Sequence, residues 1–227
     1  MSKPTLYVVA GANGSGKSTL INKHRNLIKG IEFVNPDDIA KEIDPSYDGK
    51  NNALTLKASR EAIIRQNSLL DNKQTFGIET TFSGNRELRI MQNAKKLGYE
   101  IKLVYIGLNN PITNVKRVTE RTKNGGHFVD TQTIMRRYDR SMNNLSIGIK
   151  IADKTYLVDN TESKDFIVAK VTNEKVISVT NKNVPKWIRS KPNLYSKIKE
   201  HIRYKEVIKE IINKRDNPQQ KNLDRGR

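Results

Sequence analysis

Apolar residues along the chain follow two rhythms. Short, nearly unbroken apolar runs occupy Leu6–Ala10, "IEFVN" at 31–35, "TFGIETTF" at 75–82, "YEIKLVYIGL" at 99–108 and "TYLVD" at 155–159. Each is bounded by turn residues, so each predicts a buried strand. Between them the apolar positions are spaced for helices. One helix is expected over Lys17–Lys29, and a short one in "PDDIAKEI", where Pro36 suits a first turn. Another spans Ala53–Leu70, with Leu54, Ala58, Ala62 and Leu69 near one face. A further helix in "NRELRIMQNAKKLG" stops at Gly98, one opens at Pro111 and ends before Gly125-Gly126, and one covers about 131–144. "SYDGKNN" (46–52) reads as loop. Strands alternating with helices through residue 160 predict parallel βαβ units and an α/β fold. Beyond residue 163 the rhythm changes. "DFIVAKVTNEKVISVT" predicts a β-hairpin around Asn173-Glu174, a basic helix follows near 193–213, and "RDNPQQKNLDRGR" reads as frayed. The expected organisation is a domain over 1–162 and a basic extension over 163–227.

In parallel sheets ligands sit beyond the carboxyl ends of the strands. Here those ends read "GANGSGKS", "NPDD", "ETTFSG", "GLNNP" and "DN". The first is a full G-x-x-x-x-G-K-[ST] loop between a strand and a helix. Gly11, Gly14 and Gly16 let backbone N–H groups turn inward on a phosphate, with Asn13 and Ser15 between them. The helix that starts at Lys17, Ser18 and Thr19 presents its positive end to the same anion. Lys17 then spans the β- and γ-phosphates, and Ser18 is placed to hold Mg²⁺. This makes the expected architecture that of a phosphate-loop NTPase or kinase, with ATP and Mg²⁺ as its cofactors.

Other motifs separate the phosphate-loop classes. There is no Asn-Lys-x-Asp for guanine; "NKNV" (181–184) lacks the Asp. There is no Leu-Ser-Gly-Gly signature of a transport ATPase, and 227 residues leave no room for a helicase's second motor domain. A kinase needs a carboxylate to take the acceptor's proton and arginines to close over the phosphate. Asp37 and Asp38 follow the second strand and Glu79 follows the third. One can accept a proton while another anchors Mg²⁺ or a substrate hydroxyl, although acids in a first helical turn also serve as caps. Between Arg117 and Leu145 two helices flank Gly125-Gly126. Arg117 and Arg121 lie one turn apart on one side, with Arg136, Arg137 and Arg140 on the other. This is either a lid (about 117–145) whose arginines face the γ-phosphate or a solvated basic hairpin. His127 stands beside the hinge, within reach of phosphate.

Charge widens the choice of partners. The net charge is +18, of which +10 falls within 163–227. Nucleic acid, a membrane surface, an acidic protein and a polyphosphate substrate all suit it, as does a solvated basic tail. No apolar run approaches the ~20 residues of a membrane span, the first ten residues do not form a signal peptide, and there are no cysteines. A soluble cytoplasmic protein with no membrane partner is expected. Aromatics make up only 6%. Trp187, Tyr195 and Tyr204 are too few and too scattered to form a stacking row for single strands.

With "GANGSGKSTL", "NPDDIA", "ETTFSG", "GGHFV", "RRYDRSMNNL" and the late Ala152-Asp153 and Asp159-Asn160 in this order, the chain resembles the zeta toxin family over about residues 4–160. These are phosphate-loop kinases of toxin–antitoxin systems. The resemblance implies ATP-dependent phosphorylation of a sugar hydroxyl on UDP-N-acetylglucosamine, which starves cell-wall synthesis. It implies that Asp37 is the catalytic aspartate, that Glu79 and Thr81 contact substrate, and that Arg121 and one of Arg136 or Arg137 are the lid arginines. It further implies an antitoxin that blocks the nucleotide site, and an acidic one would suit this surface. Two other readings stay open: a kinase or ATPase acting on nucleic acid ends, and a nucleotide-gated binding module without phosphotransfer.

Overall fold

The computed structural model describes residues 3–162 and 165–216. Its centre is β1 (Thr5–Ala10), whose side chains are buried on both faces apart from Tyr7. The chain leaves β1 through the phosphate loop into α1 (Lys17–Lys23) and reaches β2 (Glu32–Val34). Then come α2 (Pro36–Ile43), α3 (Asn52–Asp71), β3 (Phe76–Thr80), α4 (Arg86–Lys96), β4 (Glu100–Gly107), α5 (Pro111–Lys123), α6 (Thr131–Ile151) and β5 (Lys154–Asp159). These five strands are parallel, in the order β2-β3-β1-β4-β5. From β1 the chain steps one way to β2 and β3, then crosses back to β4. The carboxyl end of β1 is therefore where the connections diverge, the place at which such sheets open a crevice. Among the described residues no helix is long and apolar enough to cross a membrane.

The hairpin expected after residue 163 forms as β6 (Phe166–Thr172) and β7 (Lys175–Val179), with Asn173 and Glu174 at positive φ in the turn. It extends the same sheet, antiparallel to β5. A short helix α7 (Lys186–Arg189) and the long α8 (Pro192–Asp216) follow. Val168, Ala169, Trp187, Ile188, Leu194 and Ile198 join the same apolar cluster as Leu6, Phe76 and Leu103. The expectation of a frayed end from Arg215 onward differs at its start, because α8 runs through Asp216; residues 217–227 lie outside those described.

Two helices differ from their sequence expectation. The helix from Lys17 ends at Lys23, where the N–H of His24 is shared between the carbonyls of Leu20 and Ile21, and a 3₁₀ turn covers Arg25–Ile28. The helix expected over 131–144 runs on to Ile151. Gly148 looks like an interruption in the sequence. In the fold it is where α6 lies against Phe82, whose ring would sit 2.7 Å from an added Cβ. Leu145 and Ile149 carry the buried face through it.

Candidate active site

The loop between β1 and α1 is tied on every side. The N–H of Gly11 continues the ladder to the Thr80 carbonyl at 3.2 Å. Asn114 of α5 donates its side-chain amide to the Asn13 carbonyl at 2.7 Å, and Asn160, just past β5, donates to the Ser15 carbonyl at 2.9 Å. Gly14 and Gly16 have φ of +75° and +101°. Behind the loop a Cβ at Gly14 would meet the Asn114 carbonyl oxygen at 2.6 Å, and one at Gly16 the Asn160 amide at 2.4 Å. Both the conformation and the close approach require glycine.

In front of the loop lies a cavity of about 610 Å³. Lys17 is 8% exposed, and its ammonium donates to the Ala12 carbonyl at 3.2 Å. Burial lowers its pKa, and Arg121 and Arg137 push the same way against Glu79 and Asp37. The buried Ser15 Oγ has no partner among the described residues. A desolvated ammonium and two nearby guanidinium groups at the start of a helix fit a polyphosphate, whose charge supplies what this pocket lacks. Ser18 and Thr19, both exposed, line the cavity floor at the start of α1.

The strand ends supply the acids. Val9 pairs with Glu79 in the β1–β3 register, which sets that carboxylate beside the loop. It accepts from the Ser18 hydroxyl at 2.7 Å and from the Asn35 amide at 3.3 Å. Among the described residues no cluster of three or more His, Cys, Asp or Glu is placed to hold a metal. The oxygens of Ser18 and Glu79 nonetheless suit Mg²⁺, which takes few protein ligands and completes its shell with phosphate and water. Asn35 caps α2, its side chain accepting from the N–H of Asp37 at 3.0 Å, and so turns Asp37 toward the cavity. Asp38 is not among the lining residues, although it interacts with Asn35, which is; burial, then the neighbouring Asp37, raises its pKa. Thr81 lines the cavity and shares a hydrogen bond with Ser83 at 2.9 Å.

The Gly-Gly segment folds back over this rim. Arg121 donates to the His127 carbonyl at 3.0 Å, and the N–H of Phe128 donates to the Asp48 carbonyl at 2.9 Å. The His127 ring lies 5.5 Å from that of Tyr47, and its Nδ1 is buried, without a hydrogen-bond partner among the described residues, and 3.8 Å from Asp37 Oδ1. Burial lowers the imidazole pKa despite the pull of Asp37. His127, which the sequence placed within reach of phosphate, lines the same cavity and stands against Asp37. Arg137 lines the cavity and donates to Asn13 Oδ1 at 3.2 Å. Arg136 is exposed and turned away, bonded to Thr133 Oγ1 at 3.2 Å. Arg117 also lines the cavity and donates to the carbonyl of Asn160 at 2.9 Å. The sequence put Asn35 and Asn160 in strand-end motifs but gave neither a role, and it did not single out Asn114; what the three amides hold appears only once strand ends are brought together.

Glu79 carries a cost that can be measured. Burial raises its pKa, so its ionised form disfavours the folded state at neutral pH. The group contributes most stability below about pH 4.3, the ordinary glutamate value, and loses that contribution as pH rises through the raised folded value. Glu79→Gln, which can still bond to Ser18 and Asn35, is expected to raise the Tm at pH 7 by about 2–4 °C. The gain should vanish near pH 4. Thermal melts across this range check it, and an equal gain at both ends would count against buried charge as the cause.

The family model for the zeta toxin matches residues 1–177. An uncharacterised protein of Haemophilus influenzae is 35% identical over 129 residues, covering 56% of this chain and 88% of that protein. Among solved structures, a chain of the AvrRxo1-ORF1:AvrRxo1-ORF2 complex superposes with a TM-score of 0.63 at 18% identity, covering 79% of this chain and 62% of that one. The same complex has been solved with ATP. The PezAT toxin–antitoxin system of Streptococcus pneumoniae gives a TM-score of 0.55 at 17% identity, covering 75% and 72%. The described fold, its phosphate loop and a family match over more than three quarters of the sequence agree, and the chain belongs to the zeta toxin family of phosphate-loop kinases.

Proposed function

We propose that this protein transfers the γ-phosphate of ATP to a hydroxyl of a nucleotide sugar such as UDP-N-acetylglucosamine, and that it is the toxin of a toxin–antitoxin pair. The observation that carries the reading is the convergence of Lys17, Asp37, Arg121 and Arg137 on one cavity, from four separate segments of the chain. The acceptor oxygen attacks the γ-phosphorus, the bond from that phosphorus to the β–γ bridging oxygen breaks, and ADP leaves. The hydroxyl proton passes to Asp37. Lys17, Arg121 and Arg137 hold the charge that spreads over the transferring oxygens. Ser18, with help from Glu79, would hold Mg²⁺, which would supply neutralisation of phosphate charge. The segment over 117–145 serves as the lid, docked through His127 and Phe128 onto the 44–51 loop. Donor assignment is supported by the match to a complex solved with ATP, and a protein partner by the match to a toxin–antitoxin system. The +18 charge suits an acidic antitoxin, which co-purification from the native operon should recover.

The test is incubation with γ-labelled ATP and a panel of UDP-sugars, dinucleotides and RNA ends. Label on a UDP-sugar is the expected result. Label on RNA ends alone would assign the basic surface to nucleic acid instead, and ATP hydrolysis with no labelled acceptor would leave a nucleotide-gated binding module.

A further inference from the structure

The segment over 117–145 brings an imidazole to Asp37 as well as guanidinium groups to the cavity. The carbonyl of His127 accepts from Arg121 at 3.0 Å and from the Thr122 hydroxyl at 3.5 Å, and the next N–H, that of Phe128, donates to the Asp48 carbonyl. With its backbone held on both sides, the ring is seated on the 44–51 loop. It meets the buried Tyr47, whose hydroxyl shares a hydrogen bond with Thr55 Oγ1 at 2.7 Å. It also covers Gly49, where an added Cβ would stand 2.7 Å from Nδ1. Asp37 is less constrained. Its side chain is half exposed, and among the described residues the neighbour within ion-pair range of its carboxylate is this ring, Nδ1 to Oδ1 at 3.8 Å. Burial lowers the imidazole pKa, so the ring is neutral at pH 7 and carries one N–H, on Nδ1 or on Nε2. The charged groups that act on it are Asp37 and Lys41 of α2, Arg121 of α5 and Arg137 of α6, while Asp48 and Lys50 of the loop pair with each other at 2.9 Å. Lys41, Arg121 and Arg137 cannot accept a hydrogen bond. A bare Nδ1 would turn its lone pair on the Asp37 carboxylate, whereas an Nδ1–H finds there the acceptor it lacks. A movement of about 1 Å brings the pair to hydrogen-bond length, and contacts of this kind commonly tighten only once substrate is bound.

We propose that His127 is a positioning residue for Asp37: with nucleotide bound, its Nδ1–H donates to Asp37 Oδ1 and orients the carboxylate, so that removal of the acceptor's proton is tied to docking of the lid on the 44–51 loop. This rests on the phosphotransfer reading above, with Asp37 as the base. His127 gives up no proton. The acceptor's proton goes to Asp37 Oδ2, the oxygen that the imidazole leaves free. With the lid undocked, the nucleotide is still held by the phosphate loop, but the carboxylate that must take the proton loses its fixed direction.

The test reads the tautomer first. The chain has three histidines, His24, His127 and His201, so side-chain ¹⁵N–¹H spectra of the full chain saturated with a non-hydrolysable ATP analogue resolve each ring, and His127→Phe assigns the signal. An Nδ1–H tautomer is expected in the parent protein, lost or mixed in Asp37→Ala. An Nε2–H tautomer in the parent, or an Nδ1–H tautomer indifferent to Asp37→Ala, would overturn the proposal. Transfer from γ-labelled ATP to UDP-N-acetylglucosamine is measured in parallel. His127→Phe keeps a ring against Tyr47 and is expected to lower kcat about 10- to 100-fold, with the KM for ATP and the Tm little changed. His127→Asn, whose amide N–H can stand where Nδ1–H stands, should recover part of the loss, and His127→Gln should recover less. In an Asp37→Asn background the His127→Phe change should have little further effect, because the two residues act as a unit. Additive losses would make His127 independent of Asp37 and sink the inference. If no acceptor is labelled while the tautomer still depends on Asp37, the contact stands and the kinase reading fails. If transfer depends on Asp37 and His127→Phe is as active as the parent, the kinase reading stands and the role of His127 fails.

Discussion

Asp37→Asn is expected to slow phosphate transfer by about 10²- to 10⁴-fold while ATP binding is retained. The exchange is nearly isosteric, and the N–H of residue 37 still reaches Asn35 Oδ1, so the start of α2 is preserved. Losing one acid from a helix's first turn costs no more than about 1 kcal/mol. What disappears is the atom that, in the proposed transfer, receives the acceptor's proton. Lys17→Ala should behave differently. It empties the buried cationic position in front of the loop and should weaken both ATP binding and transfer. Measuring nucleotide affinity and labelled-phosphate transfer for both variants separates the two roles. Growth arrest on expression gives the cellular counterpart. Toxicity that survives Asp37→Asn but not Lys17→Ala would show that nucleotide binding, rather than transfer, does the harm.

The phosphate loop and the strand ends were legible because they are local: a short apolar run, then turn residues, then chemistry. The choice between Arg136 and Arg137 stayed open in the sequence, and the structure puts Arg137 on the cavity and Arg136 away from it. Ile134, Tyr138, Ser141 and Leu145 mark the inward stripe of α6, and Arg137 lies three residues from Ile134 and four from Ser141, on that stripe. Once the buried face of α6 is known, helical spacing turns Arg137 inward and Arg136 out. The environment of His127 was not legible, since it depends on how the 124–130 segment meets the 44–51 loop. Neither were Asn114 and Asn160, which act on carbonyls about 100 and 145 residues away in sequence. Gln66 and Arg86 carry no signal in the sequence; only the packing of α3 beside the start of α4 brings them together.

Trp187 lies in the segment where sequence suggested scattered aromatics, yet the fold buries it almost completely, at 1% exposed. Its ring fills the space above Gly107, where an added Cβ would strike it at 2.4 Å, and meets Tyr105 at 5.6 Å between centroids. Trp187→Ala is expected to cost about 3–5 kcal/mol, a drop of roughly 10 °C in Tm for a chain of this size. The indole N–H donates to Asp159 Oδ1 at 2.7 Å, and the same oxygen accepts from the Thr161 hydroxyl at 2.8 Å. Asp159 is 5% exposed and immediately precedes Asn160, the residue that holds the Ser15 carbonyl. Trp187→Phe therefore probes more than packing. It keeps most of the ring, withdraws one donor from a buried carboxylate at a cost of about 1–3 kcal/mol, and loosens the turn that steadies the phosphate loop. A useful contrast is Ile198→Val in α8, equally buried and in the same core, which should cost about 0.5–1.5 kcal/mol and leave ATP affinity alone. If Trp187→Phe weakens ATP while Ile198→Val does not, the basic extension supports the nucleotide site through Asp159. If both leave ATP affinity unchanged, Trp187 serves the core alone.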